Sequence, residues 1–319
     1  MWKTILRRVL LMIPQIIILS LLVFFLAKLM PGDPFSGKIT PHTDPQTIEK
    51  LKQQLGLYDP PLVQYGHWVQ NIFKGDFGQS YTYDRPVIGL IGERAANTLW
   101  LSLLTTIMTY AVAIPLGLFA GKHEGKWQDR LVAFYNFITR AVPPFAVYLI
   151  LLILFSFILK IFPSTGTVSA TAHGFWQVLW SRIYHMLLPA IAMTLTGTTG
   201  IVQYLRSGII DNTQEDYVRT ARAKGVPEKV IFRKHILRNS FLPIASSIGL
   251  TITGLLGGAI VAEGIFSYPG MGQLFLQSVT SRDYSVMITL TLLFGTLTLI
   301  GNLLSDIIMS IVDPRIRIQ

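Results

Sequence analysis

The sequence of 319 residues lacks cysteine and has few charged residues. The absence of cysteine excludes disulfide bonds, thiolate metal sites and cysteine nucleophiles. Charged residues make up 14% of the chain and hydrophobic residues 51%, and the mean hydropathy is +0.48. A chain of this length with so little charge is too apolar to be soluble, so the composition indicates a membrane protein.

Patterns for catalysis and nucleotide binding are also missing. None of the six histidines pairs with another at the spacing of metal ligands. The segment Gly117–His123 resembles a phosphate loop, but three residues separate its glycines instead of four, and no hydroxyl follows its lysine. The spacing of Gly117 and Gly121 suits close helix packing. We therefore expect this chain to bind no metal, cofactor or nucleotide.

Six apolar segments are long enough to cross a bilayer, which takes about 20 helical residues. They lie near Val9–Met30, Thr98–Ala120, Leu131–Ile161, His185–Leu205, Phe241–Ala262 and Val286–Val312. The third contains Pro143-Pro144, which should kink the helix or mark its true start. The first follows basic residues as a signal peptide does, but it is longer than a signal core and no small-x-small site follows. We therefore interpret it as an uncleaved span.

The distribution of Lys and Arg predicts the orientation. They are concentrated before the first span, between the second and third, between the fourth and fifth, and after the sixth. Because such residues favour the cytoplasmic side, both termini and residues 211–240 should be cytoplasmic. The net charge of +10 then reflects topology and contact with anionic lipid, so we expect no nucleic-acid partner.

The predicted order is an N-terminal transmembrane helix over residues 1–30, an extracytoplasmic insert over 31–97, a transmembrane domain over 98–312 and a cytoplasmic tail over 313–319. The insert is either a structured helical cap, which we favour, or a variable loop. Its patterns predict a turn at Pro31-Gly32-Asp33-Pro34, a short helix around Pro45–Leu55 and a second turn at Gly75-Asp76-Phe77-Gly78.

A polar, basic segment, Asp211–Pro243, separates the fourth and fifth spans. Thr213 followed by Asp216 is a capping-box pattern and predicts that a short helix begins there. Gly225 can end that helix in the left-handed conformation, and Pro227 can begin a second. Such a two-helix unit suits contact with a soluble partner, although an ordinary amphipathic surface loop is the alternative.

Residues Tyr217–Gly225 read Tyr-Val-Arg-Thr-Ala-Arg-Ala-Lys-Gly and resemble the loop by which membrane subunits of ATP-binding-cassette importers engage their ATPase. The general family pattern has Glu-Ala-Ala where this chain has Arg219-Thr220-Ala221, and a shorter interval before the pair Leu242-Pro243. Both departures resemble the peptide and nickel permease branch. Further similarities to that branch occur at Leu29–Pro34, Asp76–Ser80, Tyr268–Leu274 and Val312–Arg315.

The resemblance implies an all-α, type I importer permease with six transmembrane helices, of the B type, in the bacterial cytoplasmic membrane. A second homologous permease subunit would complete the pathway, two ATPase subunits would bind ATP and magnesium, and an extracytoplasmic solute-binding protein would deliver a peptide. The implied coupling residues are Tyr217, Val218, Arg219, Thr220, Ala221, Gly225, Val226 and Pro227. Since Tyr217, Val218 and Ala221 share one semi-apolar side of a helix, we expect the ATPase to bury that side.

Two other functions stay open. The nickel importers share these motifs, but spans that are poor in histidine and free of cysteine offer little to a transition metal, which favours a peptide. A self-sufficient secondary transporter would place ionisable residues or broken helices at the bilayer midplane. Asp306 in the long sixth span is the only such residue away from the span ends.

The fifth span carries a small-residue pattern, and its role is open between two interpretations. Gly254 and Gly258, with Gly257 beside them, would allow another helix to approach closely. The same residues would leave room for a solute if the helix lined the pathway. Glu263, at the end of this span, is expected near the external mouth.

Overall fold

A computed structural model describes residues 2–29, 58–257 and 259–312. Within these ranges the chain is helical and has no strand beyond an isolated bridge between Gln79 and Pro86. Five of the described helical segments are long and apolar enough to cross a membrane, and a sixth span results if a bent pair of helices is counted as one. The prediction of an all-α membrane protein with six spans is confirmed.

Helices follow one another along the chain in the order α1 (Trp2–Leu29), α2 (Pro61–Phe73), α3 (Val87–Lys122), α4 (Trp127–Ala141), α5 (Pro144–Leu152), α6 (Phe175–Gln214), α7 (Asp216–Ala223), α8 (Glu228–Ile231), α9 (Leu237–Ser240), α10 (Leu242–Gly257), α11 (Ile260–Ile265), α12 (Met271–Thr280) and α13 (Tyr284–Val312). Two π-helical segments continue this sequence of elements: Ile153–Ile158 follows α5, and Phe232–Ile236 joins α8 to α9.

The third span is broken where the sequence predicts it. Helices α4 and α5 meet at an angle of 94°. Val142 still donates its amide to the carbonyl of Ile138 at 3.0 Å. Pro143 has no amide hydrogen and restricts the residue before it, so α4 ends here and α5 begins in a new direction at Pro144.

Helices α3 and α6 run parallel and form the centre of the fold. A Cβ atom placed on Gly117 would lie 2.9 Å from Cβ of Leu205, and one on Gly121 would lie 2.9 Å from Cβ of Ile209. The two backbones therefore approach as closely as glycine allows, and the predicted packing role of this glycine pair is confirmed.

Helix α13 runs antiparallel to both α1 and α10. Arg8 near the start of α1 forms an ion pair with Asp306 near the end of α13, at 3.1 Å, and Gly249 of α10 lies against Ser305. The starts of α1 and α10 therefore lie at the end of the bundle where α3 and α6 finish. We call this the α7 end, and the other the α12 end.

One boundary differs from the sequence analysis. Helix α3 begins at Val87, ahead of the predicted boundary at residue 98, because the chain becomes helical before it becomes uniformly apolar. The turn at residues 75–78 is confirmed, with φ of +79° at Gly75 and +81° at Gly78. The Pro31–Pro34 turn, the helix at Pro45–Leu55, Gly258 and the tail over 313–319 lie outside the described residues.

Candidate functional site

Helix α7 begins later than the capping-box pattern predicts. Thr213 still belongs to α6, where its Oγ1 donates to the carbonyl of Ile209 at 2.6 Å. Glu215 has an extended backbone and precedes the first residue of α7, Asp216. The predicted helix start at Thr213 is therefore wrong. Helix α6 continues past this local signal to Gln214, and near its end it packs against α9, where Gly208 lies against Ser240.

The turn at Gly225 follows the prediction. Gly225 has a φ of +73°, and its amide donates to the carbonyl of Arg222 at 2.9 Å. The amide of Val226 donates to the carbonyl of Ala221 at 3.2 Å, which closes the end of α7 as a left-handed residue commonly does. Pro227, with φ of −59°, immediately precedes α8.

The apolar side of α7 faces this chain itself. Val218 is fully buried and Ala221 nearly so. They belong to one apolar cluster that joins α6, α7, α8, the second π-helix and α10, with the members Leu205, Ile209, Val218, Ala221, Ile231, Ile236 and Ile244. The expectation that a partner buries this side is therefore wrong for Val218 and Ala221, because their apolar surface is already covered within the chain.

The outward side of the two-helix unit is polar and mostly cationic. Its exposed residues include Arg219, Thr220, Arg222 and Lys224. Arg222 Nε donates to Glu228 Oε1 at 2.6 Å, which ties α7 to α8 across the Gly225 turn. That hydrogen bond raises the pKa of Arg222 above its ordinary value, so Arg222 stays charged. Arg219 forms an ion pair with Asp216 at 3.5 Å in which both side chains are largely exposed, so Arg219 and Lys224 can both be reached by a second molecule.

Tyr217 fixes the unit to its neighbours on either side. Its hydroxyl donates to the side-chain oxygen of Asn212 in α6 and accepts from Nδ2 of Asn239 in α9 at 3.0 Å. The aromatic ring is about one-third exposed. Tyr217 thus acts as a brace within the chain and still contributes to the outward surface.

The second π-helix connects the unit to the fifth span. It contains Phe232, and Lys122 at the end of α3 places its Nζ 4.3 Å from the centre of that ring, a distance typical of a cation–π contact. π-Helical segments are frequent at functional sites in helices. The unit is therefore linked to α3, α6 and α10, all of which belong to candidate spans.

A second junction lies at the α12 end, around Glu263. Its carboxylate is fully buried and accepts from Thr98 Oγ1 at 2.8 Å, from the amide of Gly272 at 2.7 Å and from that of Gln273 at 3.1 Å. Thr98 in turn accepts from the amide of Met271 at 2.7 Å. Glu263 therefore holds the start of α12 against α3, and it does not line open space.

The glycines of the Tyr268–Leu274 motif make this junction possible. A Cβ atom on Gly270 would overlap the Glu263 carboxylate, and one on Gly272 would lie 2.6 Å from Cα of Ile260. Asn97 adds a further tie, because its Nδ2 donates to the carbonyl of Pro269 at 2.9 Å. The motif thus encodes a close packing of α11, α12 and α3.

The Asp76–Ser80 motif packs against the loop before α13. Ser80 Oγ donates to Oδ2 of Asp283, and the amide of Thr82 donates to the same oxygen at 3.2 Å. Tyr83 adds a hydrogen bond from its hydroxyl to Gln277 Oε1 at 2.7 Å. Sequence reasoning predicted the turn but not this contact, which joins residues about 200 positions apart.

Two glycines of the fifth span, Gly254 and Gly257, are not packed closely against another helix of this chain. No heavy atom lies within 4 Å of a Cβ placed on Gly254 or Gly257. Tight contact within the chain occurs instead at Gly249 and at Gly301 of α13. The packed-interface interpretation is therefore wrong for contacts of Gly254 and Gly257 within this chain, and their role toward a pathway stays a prediction.

Several charged residues within the described ranges join helices to one another. Arg206 of α6 makes two hydrogen bonds to Asp129 of α4, at 2.5 and 2.8 Å, and the amide of Gly125 donates to Asp129 at 3.0 Å. No group of three or more His, Asp or Glu residues that could hold a metal ion lies in the part of the chain that the structure describes. The candidate site therefore consists of hydrogen bonds, ion pairs and apolar contacts that hold helices to one another.

Comparison with known proteins identifies the class. The family model described as "Binding-protein-dependent transport system inner membrane component" matches residues 113–318, and a model for the N-terminal part of such components matches residues 1–104. The chain is 39% identical over 314 residues to the oligopeptide transport system permease protein AppB of Bacillus subtilis, covering 98% of both chains. It is 36% identical over 317 residues to the glutathione transport system permease protein GsiC of Salmonella typhimurium, covering 99% of both.

Solved structures show the same fold. The inward-facing MetNI methionine ABC transporter aligns with a TM-score of 0.55 and 17% identity, covering 71% of this chain and 97% of that chain. An amino acid ABC transporter with histidines aligns with a TM-score of 0.51 and 17% identity, covering 72% of this chain and 94% of that one. The fold is that of ABC importer permeases, which are multi-pass membrane components of transport complexes. The chain belongs to the family of binding-protein-dependent transport system inner membrane components.

Proposed function

We propose that this chain is a permease subunit of an ATP-driven importer of short peptides. It would form half of the translocation pathway with a second homologous permease subunit and act with two ATPase subunits and an extracytoplasmic solute-binding protein. Similarity over nearly the whole chain to permeases named for oligopeptides and for the tripeptide glutathione supports a peptide as the solute.

The orientation follows from where the cations lie. Arg8, Lys122 and the two-helix unit of α7 and α8 share the α7 end, and basic residues favour the cytoplasm. We therefore infer that the α7 end is cytoplasmic, with both termini on that side, and that α2, α12 and Glu263 are extracytoplasmic. In this orientation the α7–α8 unit is where cytoplasmic ATPases can reach it.

We infer that the ATPase contacts the cationic outer surface of the unit. Arg219 and Lys224 are exposed and project from α7 or its end, while the apolar side is held by α6 and α10. Long-range attraction between this surface and acidic groups would steer assembly. A push on α7 would then reach the spans through the buried cluster and through the helical path from α8 to α10. The observation that carries this proposal is the burial of Val218 on the inner side, which leaves cations outside.

Uptake by cells tests the solute. A strain without this chain, complemented with it, should regain accumulation of a labelled tripeptide, and competition with glutathione and longer peptides would define the preferred length. Radioactive nickel serves as the comparison. Uptake of nickel that depends on this chain, without any such uptake of peptides, would overturn the peptide assignment and leave the family assignment intact.

A further inference from the structure

A polar cavity at the α12 end has no role in the helix contacts described above. It has a volume of about 440 Å³ and lies between the end of the third span and the start of α6. Its polar lining consists of Ser156, Lys160, Ser164, Ser169, Ser181 and His185 together with one tyrosine, and none of the described residues that line it is acidic. The volume falls within the range of small-molecule sites, about 300–1,000 Å³.

Lys160 supplies the positive charge of this cavity. No carboxylate of the described residues forms an ion pair with its ammonium group. Its backbone has a φ of +53°, a conformation that is uncommon outside glycine and that often marks ligand sites. Lys160 thus gives the cavity a cation without an ion-pair partner, held on a backbone in the left-handed conformation.

His185 and the serines add hydrogen-bond donors and hydrogen-bond acceptors to the cavity. Nδ1 of His185 contacts the carbonyl of Ser181 at 2.8 Å. Because a carbonyl oxygen only accepts, Nδ1 carries a proton, which leaves Nε2 as the acceptor whenever the ring is neutral. Ser169 Oγ lies 2.9 Å from Thr171 Oγ1 and its amide donates to Ser181 Oγ at 2.8 Å. The cavity therefore suits an oxyanion that also bears hydroxyl groups.

Exposed aromatic residues place this cavity at the bilayer surface. Trp176, Trp180 and Tyr184 recur every four residues on α6, and the two tryptophans are 77% and 70% exposed. Tyr184 also lines the cavity, and Phe157 and Ile158, which follow the lining residue Ser156 in the chain, are exposed as well. Aromatic side chains of this kind collect at the interface between lipid and water, which puts the cation at headgroup depth.

We propose that this cavity binds the headgroup of an anionic phospholipid of the phosphatidylglycerol class. Lys160 and the serine hydroxyls contact the phosphodiester, His185 Nε2 accepts from a glycerol hydroxyl, and the acyl chains run along Phe157, Ile158 and the aromatic stripe. A zwitterionic ethanolamine headgroup fits less well, because its ammonium group meets no carboxylate. The inference does not depend on the solute. Because the cavity lies at the α12 end, the orientation proposed above places this lipid in the outer leaflet.

Native mass spectrometry of the full-length chain, released from nanodiscs with equal amounts of phosphatidylglycerol and phosphatidylethanolamine, tests the site. Lys160→Gln should reduce retained phosphatidylglycerol about fivefold, the effect of one basic residue near anionic lipid. Lys160→Arg should retain it. The matched control is Arg282→Gln, which removes an exposed cation from the same end but outside the cavity and should behave as the wild type.

Two further measurements distinguish phosphatidylglycerol from other possible ligands of the cavity. His185→Phe should lower retention of phosphatidylglycerol relative to phosphatidic acid, which lacks the headgroup hydroxyls. Inorganic phosphate should not raise the melting temperature of the detergent-solubilised chain, whereas phosphatidylglycerol should raise that of the wild type more than that of Lys160→Gln. Equal retention of both phospholipids, unchanged retention by Lys160→Gln, or protection by phosphate alone would each overturn the proposal.

Discussion

Glu263, at the end of α11, accepts a hydrogen bond from Thr98 of α3 at 2.8 Å, although the two residues are 165 positions apart. The same carboxylate receives two amides at the start of α12. A buried carboxylate with these donors joins three helices at one point, so we expect the α12 end to move as one body.

Replacing the carboxylate tests that junction. In Glu263→Gln, the amide nitrogen must face one of the three donors, so a buried donor is left without a partner and stability falls by about 1–3 kcal/mol. Thermal unfolding of the detergent-solubilised chain measures this loss. Glu93→Gln is the control, since Glu93 is exposed and pairs with Arg85 on the surface; equal melting temperatures for the two variants would contradict the role of Glu263.

Two glycines of α10 offer a matched pair. In Gly249→Ala the new methyl group overlaps Ser305, and overpacking of this kind costs about 1–3 kcal/mol. In Gly254→Ala the methyl group meets open space within the chain, and the lost glycine flexibility stabilises the helix by about 0.5–1 kcal/mol. Melting temperatures should therefore move in opposite directions. A lower melting temperature for both variants would contradict the open space that surrounds Gly254 within the chain.

The turn between α7 and α8 depends on the backbone of Gly225. Gly225→Val must adopt the left-handed conformation at a cost of about 1–2 kcal/mol, while Gly225→Asn should be tolerated because asparagine adopts it readily. No side chain crowds the position, so a difference between the variants reports the backbone alone. We expect only Gly225→Val to lose co-purifying ATPase subunits; equal loss from both variants would refute this explanation.

The orientation is open to chemical labelling, because the chain has no cysteine of its own. A cysteine at Gln70 in α2 should react with a membrane-impermeant maleimide in intact cells. A cysteine at Lys224 should react only after the membrane is permeabilised. The reverse pattern would invert the inferred topology.

The sequence predicted those features that depend on local chemistry. Hydropathy locates the spans, Pro143-Pro144 breaks the third because proline lacks an amide hydrogen, and Gly225 ends α7 because glycine adopts a positive φ. The start of α7 was mispredicted, since the capping signal at Thr213 is weaker than the packing that extends α6.

Contacts between distant parts of the chain could not be predicted in this way. The i, i+3 spacing identifies Val218 and Ala221 as one apolar side of a helix but does not show whether this chain or another buries it. Glu263 likewise gives no sign that its partner is Thr98. Gly270 and Gly272 were the available signal, because two glycines beside a turn indicate a close approach of backbone.

We infer that the cationic outer side of α7 engages the ATPase while its apolar side anchors it to the spans. The most direct measurement is co-purification of co-expressed ATPase subunits with Arg219→Glu/Lys224→Glu, compared with Lys126→Glu, an exposed cation outside the unit. We expect at least tenfold less bound ATPase for the double variant, about 1.4 kcal/mol or more, with an unchanged melting temperature. The control should bind the wild-type amount. Wild-type ATPase binding and peptide-stimulated ATP turnover in the double variant would contradict it.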